Sequence, residues 1–218
     1  MLNLVYKDLL MMKKQLLFGW IYILVIIVSF QSIGEAMFAT GVVAFTYMLA
    51  LTACAYEDKN KADVLLNCLP VKRNRIVLAK YLSTLIFFAL GMLFYTVTSA
   101  IIEMAGVPLK TYSISWEGFV GALVAICILQ GVYYPVFFKV GYIKSKIVNL
   151  IVFFSVFFGF SYLAREIQES GLQGWMQQIN VYAQQHTSFS VAMATVCVLL
   201  LLLVSYTISV IFYNRREF

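Results

Sequence analysis

The stretch YEDKNKADVLLNCLPVKRNRIVLAKY, residues Tyr56–Tyr81, holds about a third of the charged residues in this 218-residue chain. Long apolar runs lie on both sides of it, and the whole chain is 62% hydrophobic, 12% charged, with a mean hydropathy of +0.88. Soluble domains are about 45–50% apolar and about 25% charged, and one domain of this size could not bury such an excess. The composition therefore predicts an integral membrane protein in which the quoted stretch connects two membrane spans.

A helix needs about 20 apolar residues to cross the ~30 Å hydrocarbon layer of a membrane. Six segments qualify, so the predicted fold is an all-α integral membrane protein with a single transmembrane domain over residues 1–218. The predicted spans are residues 16–33, 36–56, 76–102, 117–138, 147–164 and 190–213. No ionisable residue lies deep inside a span, which argues against a carrier coupled to protons or sodium through a buried carboxylate.

The basic residues are distributed unequally among the predicted loops. With six spans, both termini and the loops 57–80 and 139–146 share one side of the membrane. That side holds all of the 16 basic residues except Lys110 and Arg165, whereas the acidic residues divide evenly. Because lysine and arginine set the orientation, both termini are predicted to be cytoplasmic. The net charge of +6 then reflects topology, and no nucleic-acid partner is expected.

The N-terminal sequence MLNLVYKDLLMMKK has an amphipathic pattern of its own. Apolar residues recur at helical spacing, namely Leu2, Val5, Leu9 and Met12. This pattern predicts an elbow helix over residues 1–14 that lies in the membrane interface, with its apolar face in lipid and its lysines toward anionic head groups. The alternative is a plain positively charged flank of the first span.

A second amphipathic pattern lies within the opening stretch. Four apolar residues recur there at i, i+3, i+4 and i+7, namely Ala62, Leu65, Leu66 and Leu69. Such a pattern predicts one apolar face of a short helix over residues 58–69. Pro70 ends this helix, because the residue before a proline disfavours the helical region.

Two uses are compatible with the helix at residues 58–69. It could lie on the lipid surface beside a positive stop signal, or it could dock on a cytosolic partner. The acidic residues Glu57, Asp58 and Asp63 favour docking, since carboxylates gain nothing beside anionic lipid.

The chain lacks the motifs of an enzyme. It has no G-x-x-x-x-G-K-[ST] loop that could cradle nucleotide phosphates, and no G-x-S-x-G turn or His-x-x-x-His pair. The four cysteines are scattered, and His186 is the single histidine, so no metal site is expected. Any energy for transport would have to come from another subunit.

The order of these features resembles the membrane subunit of a type-2 ATP-binding-cassette exporter. Small bacterial permeases of this family have a similar run between spans two and three, and the N-terminal YKDLLMMKK resembles their elbow helix. The matching positions in the run are Glu57–Asp58, Leu69–Pro70, Arg73, Ile76–Val77 and Lys80–Tyr81.

The resemblance implies that residues 58–69 form the coupling helix, seated in a groove of a separate cytosolic ATPase. Two permeases and two ATPases would form the working unit. ATP and magnesium would bind to the ATPase, and no cofactor would bind to this chain. The implied coupling residues are Glu57, Asp58, Lys61, Ala62, Leu65, Leu66, Leu69, Pro70 and Arg73. In related exporters spans two and five line the central interface, which here makes Phe153, Phe157 and Gly159 candidates for the pathway or dimer interface.

The absence of a large extracellular domain resembles the compact peptide exporters of the phenol-soluble-modulin (Pmt) type and bacteriocin-immunity permeases. The expected function is thus export of amphipathic or hydrophobic peptides, such as toxins and antimicrobial peptides, across a bacterial cell membrane. A homodimer of permeases is expected, with pairing to a sibling chain left open. The alternatives are a non-transporting scaffold or immunity protein, and an exporter of small-molecule antibiotics or lipids.

Overall fold

The computed structural model describes residues 2–31, 34, 36–68, 70–107, 109, 111–112, 114–151 and 187–216. Within these ranges the regular structure is entirely helical. The helices are α1 (Leu2–Met11), α2 (Lys13–Ser29), α3 (Ala36–Lys59), α4 (Ala62–Cys68), α5 (Arg73–Met104), α6 (Trp116–Val140), α7 (142–151) and α8 (Thr187–Arg215).

The distribution of apolar surface is that of a membrane protein. The most apolar stretch of α8 has a mean hydropathy of 2.5, yet only 17% of it is buried, whereas the corresponding stretch of α3 has 1.7 and is 56% buried. In a water-soluble protein the most apolar helix would be the most buried. Meanwhile the polar side chains of Thr46, Gln130 and Ser205 are buried between helices. The prediction of an all-α membrane protein is therefore confirmed.

Four described helices, α3, α5, α6 and α8, are long and apolar enough to cross a membrane. Their ends lie within three residues of the corresponding predicted spans. The pair α1–α2, bent by 61°, would add a fifth span if it is counted as one. The predicted span 147–164 lies mostly outside the described residues, so the count of six remains a prediction.

Helix α3 packs against α2, α5 and α6, and α8 packs mainly on α6. The crossing of α6 and α8 is close because Gly131 has no side chain. A Cβ atom at that position would lie 2.6 Å from Cδ2 of Leu201. The Ser205 hydroxyl donates to the Gly131 carbonyl oxygen at 2.7 Å across the same contact. A small residue facing a hydroxyl is a common way for membrane helices to pack closely.

Helix α1 lies against the bundle by its apolar stripe. Val5 and Met12 are buried, and Leu9 packs against the main apolar core, whereas Tyr6 and Leu10 face outward. The expectation that the stripe points into lipid is therefore wrong for these side chains. The stripe forms the contact of α1 with the other helices. The same face of α1 also carries Asp8, whose carboxylate is bound by side chains of α5.

Candidate coupling surface and the ion cluster behind it

The loop between the second and third predicted spans contains a helix that is shorter than predicted. Helix α3 continues through Asp58 and ends at Lys59, and the chain then turns at Asn60 and Lys61. Lys61 has a φ of +48°, the left-handed conformation that is uncommon for residues other than glycine. Residues 58 and 59 therefore extend α3, and the separate helix α4 starts at Ala62.

The predicted apolar stripe of this loop is divided between two environments. Leu66 is 6% exposed and packs into an apolar cluster formed by the neighbouring ends of α3, α5, α6 and α8. Leu65 is 65% exposed and Val64 is 49% exposed. The expectation of one shared apolar face is wrong for Leu66, because a two-turn helix lying on the bundle buries only one column of side chains. Leu69 lies outside the described residues.

Polar contacts join α4 and the start of α5 to the end of α8. The Asn67 amide donates to the Tyr213 hydroxyl at 3.2 Å. The Arg73 guanidinium donates to the carbonyl oxygens of Tyr213, Asn214 and Arg216 at 3.0–3.2 Å. A cation at the carbonyl end of a helix is favoured by the helix dipole and satisfies oxygens that lack partners within the helix. Arg73, predicted as a coupling residue, is thus a cap of α8.

Behind this loop lies a buried group of charges, here called the ion cluster, made of Lys7, Asp8, Glu57 and Lys80. The Lys80 ammonium is 3.2 Å from both carboxylate oxygens of Asp8 and 2.7 Å from Oε2 of Glu57. Lys7 pairs with Asp8 at 3.4 Å and also with Glu57. The Ser83 hydroxyl donates to Asp8 at 2.8 Å. Two cations and two anions make the ion cluster neutral.

The ion cluster joins α1, α3 and α5 at a point three residues before the turn into α4. The side chains of Lys80, Asp8 and Glu57 are 4%, 2% and 3% exposed, so each charge depends on its partners rather than on water. Glu57, predicted as a coupling residue, has its carboxylate inside this cluster. These ion pairs hold the end of α3 against α1 and α5, and a part for Glu57 in coupling stays a prediction.

Sequence reasoning missed the ion cluster because it assigned the lysines to solvent or to lipid head groups. Two signals were present. Asp8 is the single acidic residue among the first 34, and Lys80 falls inside the apolar segment 76–102. A charge within an apolar segment usually has a partner, and the acidic pair Glu57–Asp58 lies at the other end of the loop.

The other predicted coupling residues differ in exposure. Lys61 and Pro70 are exposed, and Asp58 is half-buried at the end of α3. Partial burial raises the pKa of Tyr142, at the start of α7, and the charge of Asp58 contributes to the same shift. The predicted pathway residues Phe153, Phe157 and Gly159 lie outside the described part of the chain.

The four long apolar helices, of which the most apolar is the least buried, define a multi-pass membrane protein. The sequence profile of the family described as "ABC-2 family transporter protein" matches residues 3–214. The chain therefore belongs to that family and is a permease subunit of an ATP-binding-cassette transporter. Permeases of this kind are generally non-catalytic and work with a partner ATPase. No curated protein and no solved structure matches the chain.

Proposed function

We propose that the chain is the permease of an ATP-driven exporter and that the outer face of α4, Val64 and Leu65, docks on a separate ATPase. The observation that carries this proposal is the exposure of these two apolar side chains on a short helix between charged residues. Exposed apolar residues that are bordered by polar residues are typical of sites where another protein binds. Lys61 and Pro70 flank the outer face of α4.

The attachment of α4 supports a role in transmitting force. At the start of the loop, the ion cluster fixes the end of α3. Further along, Leu66 packs into the apolar cluster, and Asn67 and Arg73 donate hydrogen bonds to the end of α8. A displacement of α4 would thus move several long helices together as packed bodies. A loosely attached loop would absorb the same displacement by bending.

The charge distribution supports a cytoplasmic position for the outer face of α4. The structure brings the basic ends of α6 and α8 together, since Nζ of Lys139 lies 5.0 Å from the centre of the Phe212 ring. All described lysines and arginines belong to the N-terminus, the C-terminus or the two loops predicted to share their side. By the positive-inside rule this end faces the cytoplasm of a bacterial cell.

The proposed working unit contains two permeases and two ATPases, which bind ATP and magnesium. The proposed cargo is an amphipathic or hydrophobic peptide, as in compact exporters that lack a large outer domain. A scaffold or immunity protein that binds its target without transport is the second candidate. Copurification of a nucleotide-binding subunit distinguishes the exporter from the scaffold, because a protein that does not transport needs no ATPase subunit.

The experiment is a charge substitution on the outer face of α4, made in the permease coexpressed with its ATPase. Leu65→Asp introduces a carboxylate that must lose water on docking, so copurified ATPase is expected to fall about tenfold or more. Ile143→Asp is the matched control, because Ile143 is 70% exposed and lies in the first turn of α7 near the same end. Leu66→Asp is unsuitable, since it would place a charge in the protein's own apolar cluster.

The readouts are the amount of ATPase that copurifies and the ATPase activity stimulated by the permease in vesicles. Retention of both in Leu65→Asp would contradict docking through α4. Equal losses in Leu65→Asp and Ile143→Asp would contradict a specific role for the outer face of α4. Normal membrane insertion of each variant, measured by its yield in the membrane fraction, shows that the loss is not one of folding.

A further inference from the structure

A groove of about 380 Å³ runs between α2 and α3 on the outside of the bundle. Phe18, Ile21 and Val25 form its wall on α2, and Met48 forms part of the wall on α3. These four side chains are exposed, so the groove opens to the surroundings of the bundle. Its floor is closed at Gly19, where a Cβ atom would lie 3.1 Å from the Phe45 ring.

One end of this groove is polar. Gln15 lines it, and its amide nitrogen donates to the Tyr56 hydroxyl at 2.7 Å. The amide oxygen of Gln15 is buried and has no hydrogen-bond partner among the described residues. A buried acceptor without a donor is unfavourable, and a ligand with a hydroxyl or amide would supply the missing donor.

A cation stands at the same end of the groove. Lys14, Phe18, Ile21 and Val25 follow one another at i, i+4, i+7 and i+11, so they lie along one side of α2. Lys14 is exposed and lies one helical turn before Phe18, toward the N-terminus of α2. The α2–α3 groove thus has an apolar body and an acceptor at one end without a partner among the described residues, and Lys14 lies outside the lining residues, one helical turn from Phe18.

We propose that the α2–α3 groove binds one anionic glycerophospholipid whose headgroup carries a hydroxyl. An acyl chain lies along Phe18, Ile21 and Val25, the phosphate lies at Lys14, and the headgroup hydroxyl donates to the Gln15 amide oxygen. Each part of this lipid matches a separate feature of the groove. A zwitterionic choline lipid has no donor for Gln15 and carries a cation beside Lys14.

A second groove of similar size offers an internal comparison. It lies between α3 and α6, has a volume of about 400 Å³, and is lined by small and apolar residues that include Val43 and Ala122. The residues that line either groove are uncharged, and none of those in the α3–α6 groove has an unpartnered buried atom within the described part of the chain. If apolar volume alone decided binding, lipid would occupy both grooves equally. The proposed headgroup recognition predicts binding of the anionic lipid in the α2–α3 groove.

The test uses full-length permease in nanodiscs, with bound lipid counted by native mass spectrometry. The probes are phosphatidylglycerol and phosphatidylcholine with identical acyl chains. Lys14→Gln is expected to lower phosphatidylglycerol occupancy about fivefold, the share of one lysine near an anionic surface. Lys13→Gln is the matched control, because it removes the same charge from a neighbouring residue that does not share the side of α2 with Phe18, Ile21 and Val25. It is expected to change occupancy much less.

A second pair of variants tests the apolar body. Val25→Trp fills the α2–α3 groove and is expected to abolish phosphatidylglycerol retention, whereas Val43→Trp fills the α3–α6 groove and should leave retention intact. Equal effects of Lys13→Gln and Lys14→Gln, or equal retention of the two lipids, would overturn the proposal. If either tryptophan variant fails to fold, the lysine pair decides the question alone.

Discussion

The ion cluster leads to a quantitative prediction for Lys80→Met. Lys80 and Lys7 both contact the buried carboxylates of Asp8 and Glu57, and the substitution removes the buried cation, Lys80, leaving only Lys7, whose side chain is 29% exposed. Removing one partner from a buried pair costs about 3–5 kcal/mol, because the remaining charge stays in a poorly hydrated site. For a protein of this size, such a loss lowers the unfolding temperature by roughly 6–20 °C.

Two further variants isolate the electrostatic cause. Lys7→Met leaves Lys80 on both carboxylates, so it should cost only about 1 kcal/mol, as for a partly exposed pair. Combining Lys80→Met with Glu57→Gln leaves Lys7 and Asp8 as a neutral pair, so the double variant should recover part of the loss. The assay is thermal unfolding in detergent, followed by intrinsic tryptophan fluorescence. Similar melting temperatures for Lys80→Met and Lys7→Met, or a double variant less stable than Lys80→Met, would refute this reasoning.

Three other predictions use the same preparation. Leu66→Ala should lower stability by about 2–5 kcal/mol in thermal unfolding, because it leaves a cavity in the apolar cluster, whereas Leu65→Ala should change it by less than about 0.5 kcal/mol. Arg73→Met removes the cap of α8, so amide hydrogen exchange should become faster in the last turn of α8 and stay unchanged in the middle of α3. Gln130→Leu should raise the unfolding temperature, since it replaces a buried amide without partners among the described residues by an apolar side chain beside a cavity of about 40 Å³. A fall in that temperature would reveal a partner of Gln130.

The long helices could be predicted from the sequence because hydropathy measures the free energy of moving a segment from water into the membrane. For a segment of about 20 apolar residues this free energy is favourable. The side of a helix that faces protein does not follow in the same way. In a membrane, both the protein core and the lipid are apolar, so Leu65 and Leu66 look alike in sequence although one is exposed and the other is buried. Their difference arises from how α4 rests on the bundle.

The positions of the charges were predictable only in part. The counting of basic residues treats each lysine as a mark of the cytoplasmic side, and the orientation that it gives stays a prediction. The count carries no information about pairing between residues that are distant in sequence. Lys80 binds Asp8 across 72 positions, and Arg73 binds the carbonyl oxygens of α8 across about 140 positions. Such contacts depend on how the helices assemble.

The most direct test of the central claim is a photocrosslinking experiment on the outer face of α4. A photoreactive phenylalanine replaces Leu65 in the permease coexpressed with its ATPase, and Ile21, an exposed apolar residue in the middle of α2, serves as the control position. The account predicts a crosslink to the ATPase from position 65 and none from position 21. No crosslink from position 65, while the ATPase still copurifies with the permease, would contradict it.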